Sequence, residues 1–223
     1  MSGKRGNTAF DSVSRRHFLA TLGAGTAISL AGVTLGGKTG RTEVLRPPGA
    51  IEERAFLSLC ARCGRCVPVC PNSALQLQGL ENGMDNLMTP KLVPALGHCI
   101  MPLNGCQNCI EACPAKVLQP LDISELPTQE LSRVLKIGTA TLDTSRCIPY
   151  SLKQPCLACW EICPVVGAIT IHGGTGKGKG GGIRKPVFNP EVCVGCGACE
   201  FACPTSPKSV RVLPAGSKRT EWN

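Results

Sequence analysis

The apolar positions of this chain fall into short runs separated by glycine, proline and polar residues, so every element they predict is brief. Ile51, Ala55 and Leu59 recur at helical spacing and predict a short helix over Ile51–Leu59. Ala74-Leu75-Gln76-Leu77-Gln78 alternates with period two and predicts a strand. A further helix is predicted from Pro127, a good first-turn residue, to Ile137, with Gly138 as its stop. Strands follow at Thr139–Leu142, Ala168–Ile171, Val187–Phe188 and Val210–Leu213, and residues 38–50 read as an extended lead-in.

The amino end has a different character. Residues 1–16 are basic, with Lys4, Arg5, Arg15 and Arg16 against Asp11, and Phe18–Gly37 is uncharged and moderately apolar. The junction Ser14-Arg15-Arg16-His17-Phe18-Leu19 matches a twin-arginine export signal. The uncharged stretch, about 20 residues, is just long enough to span a bilayer, so it serves either as a removable signal or as a retained anchor. Gly173–Gly182, rich in glycine with Lys177 and Lys179, has no Ser or Thr after Gly176-Lys177 and reads as a flexible basic loop rather than a phosphate loop.

Composition turns this outline into chemistry. Aromatic residues make up 4% of the 223 positions, against 16 cysteines, 26 glycines and 18 prolines. A chain so poor in ordinary core residues needs another source of cohesion, either disulfides or metal centres. The cysteines decide between them. Cys60, Cys63, Cys66 and Cys70 followed by Pro71 spell C-x2-C-x2-C-x3-C-P, the spacing by which bacterial ferredoxins hold [4Fe–4S] clusters. Cys193, Cys196, Cys199, Cys203 and Pro204 repeat it intact. Cys99, Cys106, Cys109, Cys113 and Pro114, and Cys147, Cys156, Cys159, Cys163 and Pro164, are versions stretched at the first gap. The four quartets use all 16 cysteines. Disulfide pairing does not call for a proline after every fourth cysteine. Zinc sites favour separated pairs, often with histidine, and none of His17, His98 or His172 is needed to complete a quartet. The absence of C-x-x-C-H excludes c-type haem attachment.

Four [4Fe–4S] clusters are therefore expected, within an α+β fold of tandem bacterial-ferredoxin-like modules whose small strands and short helices wrap the clusters. A cubane needs four soft thiolates converging on one object. Three come from a tight loop, where Gly64, Gly195 and Gly197 permit close approach. The third and fourth cysteines, such as Cys66 and Cys70, are expected one helical turn apart on the same face. In two-cluster ferredoxins the fourth cysteine serves the other cluster, so motifs exchange their last ligands in pairs. Symmetry between the compact motifs and between the expanded ones suggests first with fourth and second with third. Cys60, Cys63, Cys66 and Cys203 then form one site, and Cys193, Cys196, Cys199 and Cys70 a second. Cys99, Cys106, Cys109 and Cys163 form a third, and Cys147, Cys156, Cys159 and Cys113 a fourth. Pairing between neighbours along the chain is the alternative. The domain plan is a signal or anchor over 1–37, a lead-in over 38–59 and a four-motif region over 60–223, with motifs at 60–71, 99–114, 147–164 and 193–204.

The formal net charge of +9 points superficially to nucleic acid. Four thiolates around an oxidised cluster leave about −2 per site, so four sites remove roughly 8 charges and the loaded protein is near neutral. No nucleic-acid partner is expected. With every cluster fully ligated by cysteine and no Ser/His/Asp set, nucleotide fingerprint or cofactor lysine, the chain reads as a wire and not an enzyme. A cluster protein assembled in the reducing cytosol must cross a membrane already folded, which suits the twin-arginine translocon.

The twin-arginine leader, the run Leu45-Arg46-Pro47-Pro48-Gly49-Ala50-Ile51 and the four quartets together resemble the ferredoxin-type proteins of the NapG/MauM family. The resemblance covers nearly the whole chain. It implies a periplasmic protein with four [4Fe–4S] clusters that works with a membrane polyferredoxin quinol dehydrogenase of the NapH type and relays electrons toward a periplasmic terminal oxidoreductase such as nitrate reductase. MauM-like members belong with methylamine oxidation. Two other functions fit the same residues: the permanent iron–sulfur subunit of a molybdopterin oxidoreductase or hydrogenase, and a maturation factor for a periplasmic dehydrogenase.

Overall fold

A computed structural model describes residues 44–174 and 182–220. The export signal expected over 1–37 lies outside the described residues, as does the middle of the glycine-rich loop. Among the described residues no helix is long and apolar enough to cross a membrane.

The architecture is three two-stranded antiparallel ribbons joined by cysteine loops. β1 (Leu75–Leu77) pairs with β2 (Pro90–Leu92), β3 (Thr139–Leu142) with β6 (Val210–Leu213), and β4 (Ile169–His172) with β5 (Lys185–Phe188). Single bridges join Ala50 to Leu118 and Ile51 to Thr220. These pairings divide the cysteine motifs into two halves. The segment before the first motif pairs with the segment after the second, and the strand after the first pairs with the strand before the second. The third and fourth motifs are laced by the same rule, through β3 with β6 and β4 with β5. Each half is a strand–motif–strand unit turned back on a second one.

The helices are short because each only has to turn the chain around a cysteine loop. They are α1 (Glu53–Leu59), α2 (Met101–Asn104), α3 (Asn108–Glu111), α4 (Ile148–Ser151), α5 (Ala158–Glu161) and α6 (Ala198–Ala202). α2 and α4 occupy the expanded first gaps of the second and third motifs, each with a proline in its first turn, where a missing N–H costs nothing. The first motif carries successive turns instead of a helix, closed by Val67 N–H to Gly64 O and Cys70 N–H to Val67 O.

Two expectations are corrected. The helix predicted over Ile51–Leu59 begins at Glu53, capped by the Glu52 carboxylate on Ala55 N–H at 3.1 Å, and its buried residue is Phe56 rather than the Ile51/Ala55/Leu59 stripe. Ile51 is fully buried, but as extended backbone donating to Val117 O at 3.1 Å. The helix predicted over Pro127–Ile137 reduces to turns and one 3-10 turn at Leu131–Arg133. In a continuous α-helix Ile137 N–H would be used internally. Here it crosses to Val194 O at 2.9 Å, tying the lead-in of the third motif to the loop of the fourth.

The core is made of small aliphatic residues and the thiols themselves. Phe56, Leu75, Leu92, Leu118, Val194 and Val210 are buried among cysteines of all four motifs. Arg46 of the lead-in is wholly buried too. Its guanidinium donates to Glu53 at 2.5 Å, Asn86 at 2.6 Å, Thr89 at 2.9 Å and Pro90 O at 3.0 Å, and lies 4.7 Å from the centre of the Phe56 ring. A buried guanidinium is tolerable only when its donors are matched and its charge is met. This arginine therefore welds the lead-in, α1 and the β1–β2 connection into one block.

Truncating one member of a buried ion pair strands the other charge, so Glu53→Ala is expected to cost about 3 kcal/mol. The measurement is a lower guanidinium midpoint for loss of the cluster absorbance. Gly195 has φ +72, and a Cβ there would sit 2.4 Å from the Gly138 backbone. Gly195→Ala is therefore expected to lose the cluster held by its own loop, read as about four irons fewer per chain by chemical analysis.

Candidate metal centres

The two-half topology decides which thiols meet. Cys60, Cys63 and Cys66 line one pocket with Cys113 (site A). Cys99, Cys106 and Cys109 line another with Cys70 (site B). Cys193, Cys196 and Cys199 line a third with Cys163 (site C). Cys147 and Cys159 interact electrostatically with Cys156 and Cys203 (site D). The exchange of fourth cysteines is thus between neighbours along the chain. The pairing of first with fourth motif and second with third is corrected: Cys203 stands with the third motif, Cys70 with the second, Cys163 with the fourth and Cys113 with the first. The reason is the lacing of the chain, since the strand or bridge that follows each fourth cysteine pairs with its neighbour's flank.

The idea that the third and fourth cysteines of a motif share a helical face fails for the same reason. The helical turn ends before the fourth cysteine. Cys203 already has extended backbone, φ −62 and ψ 122, and it leaves α6 for the other site of its half. Cys66 and Cys70 likewise line different cavities.

The donors and their surroundings fit an iron–sulfur cubane. Among the described residues, no group of His, Cys, Asp or Glu closes tightly enough to hold a single metal ion. The thiols instead stand around cavities walled largely by proline, alanine, leucine and valine. Such walls exclude water and lower the local dielectric. Burial accordingly pushes the Cys66 thiol up to about 11 and those of Cys109, Cys159 and Cys196 up to about 12, with neighbouring thiols adding to the effect. Thiolates are stable here only against a compensating positive charge, which the iron of a cluster supplies. Backbone amides are already turned to the sulfurs: Arg62 N–H faces Cys60, Met101 N–H Cys99, and Ala198 N–H Cys196.

Cys203 departs from this pattern. Burial alone would raise its thiol, yet hydrogen bonds from the Ser209 and Thr205 hydroxyls, each 3.2 Å from Sγ, outweigh it and bring the thiol down to about 7. Neither hydroxyl belongs to the cysteine pattern, and sequence reasoning missed both. Ser209 stands six positions after Cys203 and carries no signal of its own in the sequence.

The sites also stand in an order. Cys66 of site A acts electrostatically on Cys109, placing A beside B. Cys99 N–H donates to Cys196 O at 2.8 Å, joining B to C across the two halves. Cys159 bears on Cys199, joining C to D. These contacts give the neighbour order A–B–C–D with one crossing between halves, and Cys63 of site A is exposed.

The assignment has a direct test in the holoprotein. Cys203→Ser is expected to alter the EPR signal of the cluster that Cys156→Ser also alters, and Cys113→Ser that of the cluster altered by Cys63→Ser. A shared effect of Cys203→Ser and Cys63→Ser would restore the first-with-fourth pairing.

Similarity to known proteins agrees with this chemistry. The family described as a 4Fe-4S dicluster domain matches residues 59–117 and 154–206, one match within each half. The methylamine utilization ferredoxin-type protein MauM of Methylophilus methylotrophus is 32% identical over 204 residues, covering 89% of this chain and 84% of its own. The MauM of Paracoccus denitrificans is 31% identical over 96% of this chain and 91% of its own. The ferredoxin-type protein NapG of Escherichia coli K12 is 34% identical over 79% of this chain and 73% of its own. With its thiols gathered in apolar cages and this similarity running through both halves, the chain belongs to the MauM/NapG ferredoxin-type proteins, iron–sulfur electron carriers built from 4Fe-4S dicluster domains.

Proposed function

We propose that the chain carries four [4Fe–4S] clusters, one in each of sites A to D, and relays electrons from a membrane quinol dehydrogenase to a periplasmic oxidoreductase after export through the twin-arginine translocon. The observation that carries this reading is the unbroken order of four thiol cages. Each cluster supplies a one-electron couple that needs no proton and no open coordination position. The protein's part is to hold the thiolates, exclude water with proline and aliphatic walls, and keep neighbouring sites close. The division into two laced halves supports a relay longer than a single two-cluster module provides.

The relatives' names support two destinations, methylamine utilization and the Nap system. The basic leader with Arg15 and Arg16 supports export of folded cargo.

Affinity purification of the tagged full chain from gently solubilised membranes under anaerobic conditions is expected to recover a multi-span quinol dehydrogenase, with about four irons and four sulfides for each of four sites. A stoichiometric large catalytic subunit in its place would make the chain a fixed enzyme subunit and overturn the relay. Changing Arg15 and Arg16 together to lysine is expected to leave the cluster-loaded protein in the cytoplasm, read by cell fractionation.

A further inference from the structure

Each fourth cysteine leads into a strand or bridge whose entrance residue is buried and accepts a hydrogen bond from the paired segment. In the four repeats that residue is Ala74, Val117, Ala168 and Ser209. Their carbonyls accept from Val93 at 2.8 Å, Ile51 at 3.1 Å, Asn189 at 2.9 Å and Asp143 at 2.7 Å, so the four positions are structurally equivalent. Three are apolar. The fourth is a serine only 3% exposed, whose Oγ lies 3.2 Å from Cys203 Sγ.

A second hydroxyl reaches the same sulfur. Thr205 Oγ1 lies 3.2 Å from Cys203 Sγ and accepts Ser209 N–H at 2.7 Å. That acceptance leaves the threonine proton to be directed at the sulfur. A cluster-bound thiolate has no proton to give, so both hydroxyls donate to it. Lys208 adds positive charge nearby, its ammonium bonded to Cys203 O at 2.5 Å and Phe201 O at 3.1 Å. The connection from the fourth cysteine to the entrance residue is longest in this repeat, which gives room for Thr205 to turn back.

We propose that Ser209 and Thr205 make the cluster at site D the most oxidising of the four, so that electrons collect at this end of the line and leave from it. This rests on the four-cluster reading above. One-electron reduction takes a cluster with four thiolates from a charge of about −2 to about −3, and donors aimed at a ligand sulfur favour the more negative state. Alanine, valine and alanine at the equivalent positions give the other sites no such side-chain donor. Ser209 and Thr205 are thus tuning residues for the terminal site.

The test is an anaerobic redox titration of the cluster-loaded full chain, with EPR resolving each couple. Ser209→Ala is a mild change, because alanine is native at the equivalent positions of the first and third repeats. It is expected to lower the highest midpoint by at least the equivalent of a tenfold change in equilibrium constant, about 59 mV for one electron, leaving the other couples in place. Thr205→Val is expected to shift the same couple and Thr205→Ser to retain the wild-type value. Unchanged midpoints in both Ser209→Ala and Thr205→Val, at full iron content, would overturn the proposal. So would a shift confined to a couple that is not the highest, or one that Cys156→Ser fails to identify as site D. A wild-type chain lacking the fourth cluster's iron would instead sink the four-cluster reading, and the proposal with it.

Discussion

In each motif the fourth cysteine lies beyond the loop that carries the other three, and it stands with the thiols of the neighbouring motif. Everything else depends on that displacement. A cysteine carried past its own loop in this way cannot close that loop's cage, so no motif completes one alone. The strand or bridge that follows pairs with a flank of the neighbouring motif. Sheet pairing and thiol gathering are therefore one event. This explains how strands as short as three or four residues persist: a two-stranded ribbon is marginal in water, and these are anchored at each end by a cage.

Burying thiols in place of large side chains has electrostatic consequences. The walls that give the chain its cohesion also hold most of the thiols neutral in the absence of metal. A cluster would reverse that, because its iron would stabilise the thiolates. Folding and loading are coupled on this view. The Arg46 block is a polar assembly in which Glu53, Asn86, Thr89 and the Pro90 carbonyl meet every demand of one buried guanidinium, whose charge also bears on Cys60. It holds the lead-in against the β1–β2 connection and keeps Ile51 in register with the second motif.

Differences among four similar cages give a linear array its direction. Cage geometry alone would make the sites interchangeable, and what distinguishes them comes from residues next to the ligands. The pair of hydroxyls on Cys203 is the clearest such difference. It sits at one end of the order of sites, where a bias has the greatest effect on the direction of flow.

The cysteine spacing and the prolines by themselves determined the chemistry of this protein, because soft thiolates at those intervals suit a cubane whatever surrounds them. The strands after the fourth cysteines were also legible, from the alternation at Leu75–Leu77 and Val210–Leu213. Only the tertiary structure decided which motifs share cages. Cysteine spacing is a local property, whereas pairing is set by which strand edges meet, and Thr139–Leu142 finds Val210–Leu213 some seventy positions away. The same limit hid the fate of Pro127–Ile137, where a long-range bond from Ile137 to Val194 displaced a helix that local propensity favoured. It hid Ser209 too: one serine among many has no signal in composition, and it acquires a role when a strand entrance places its hydroxyl against a sulfur.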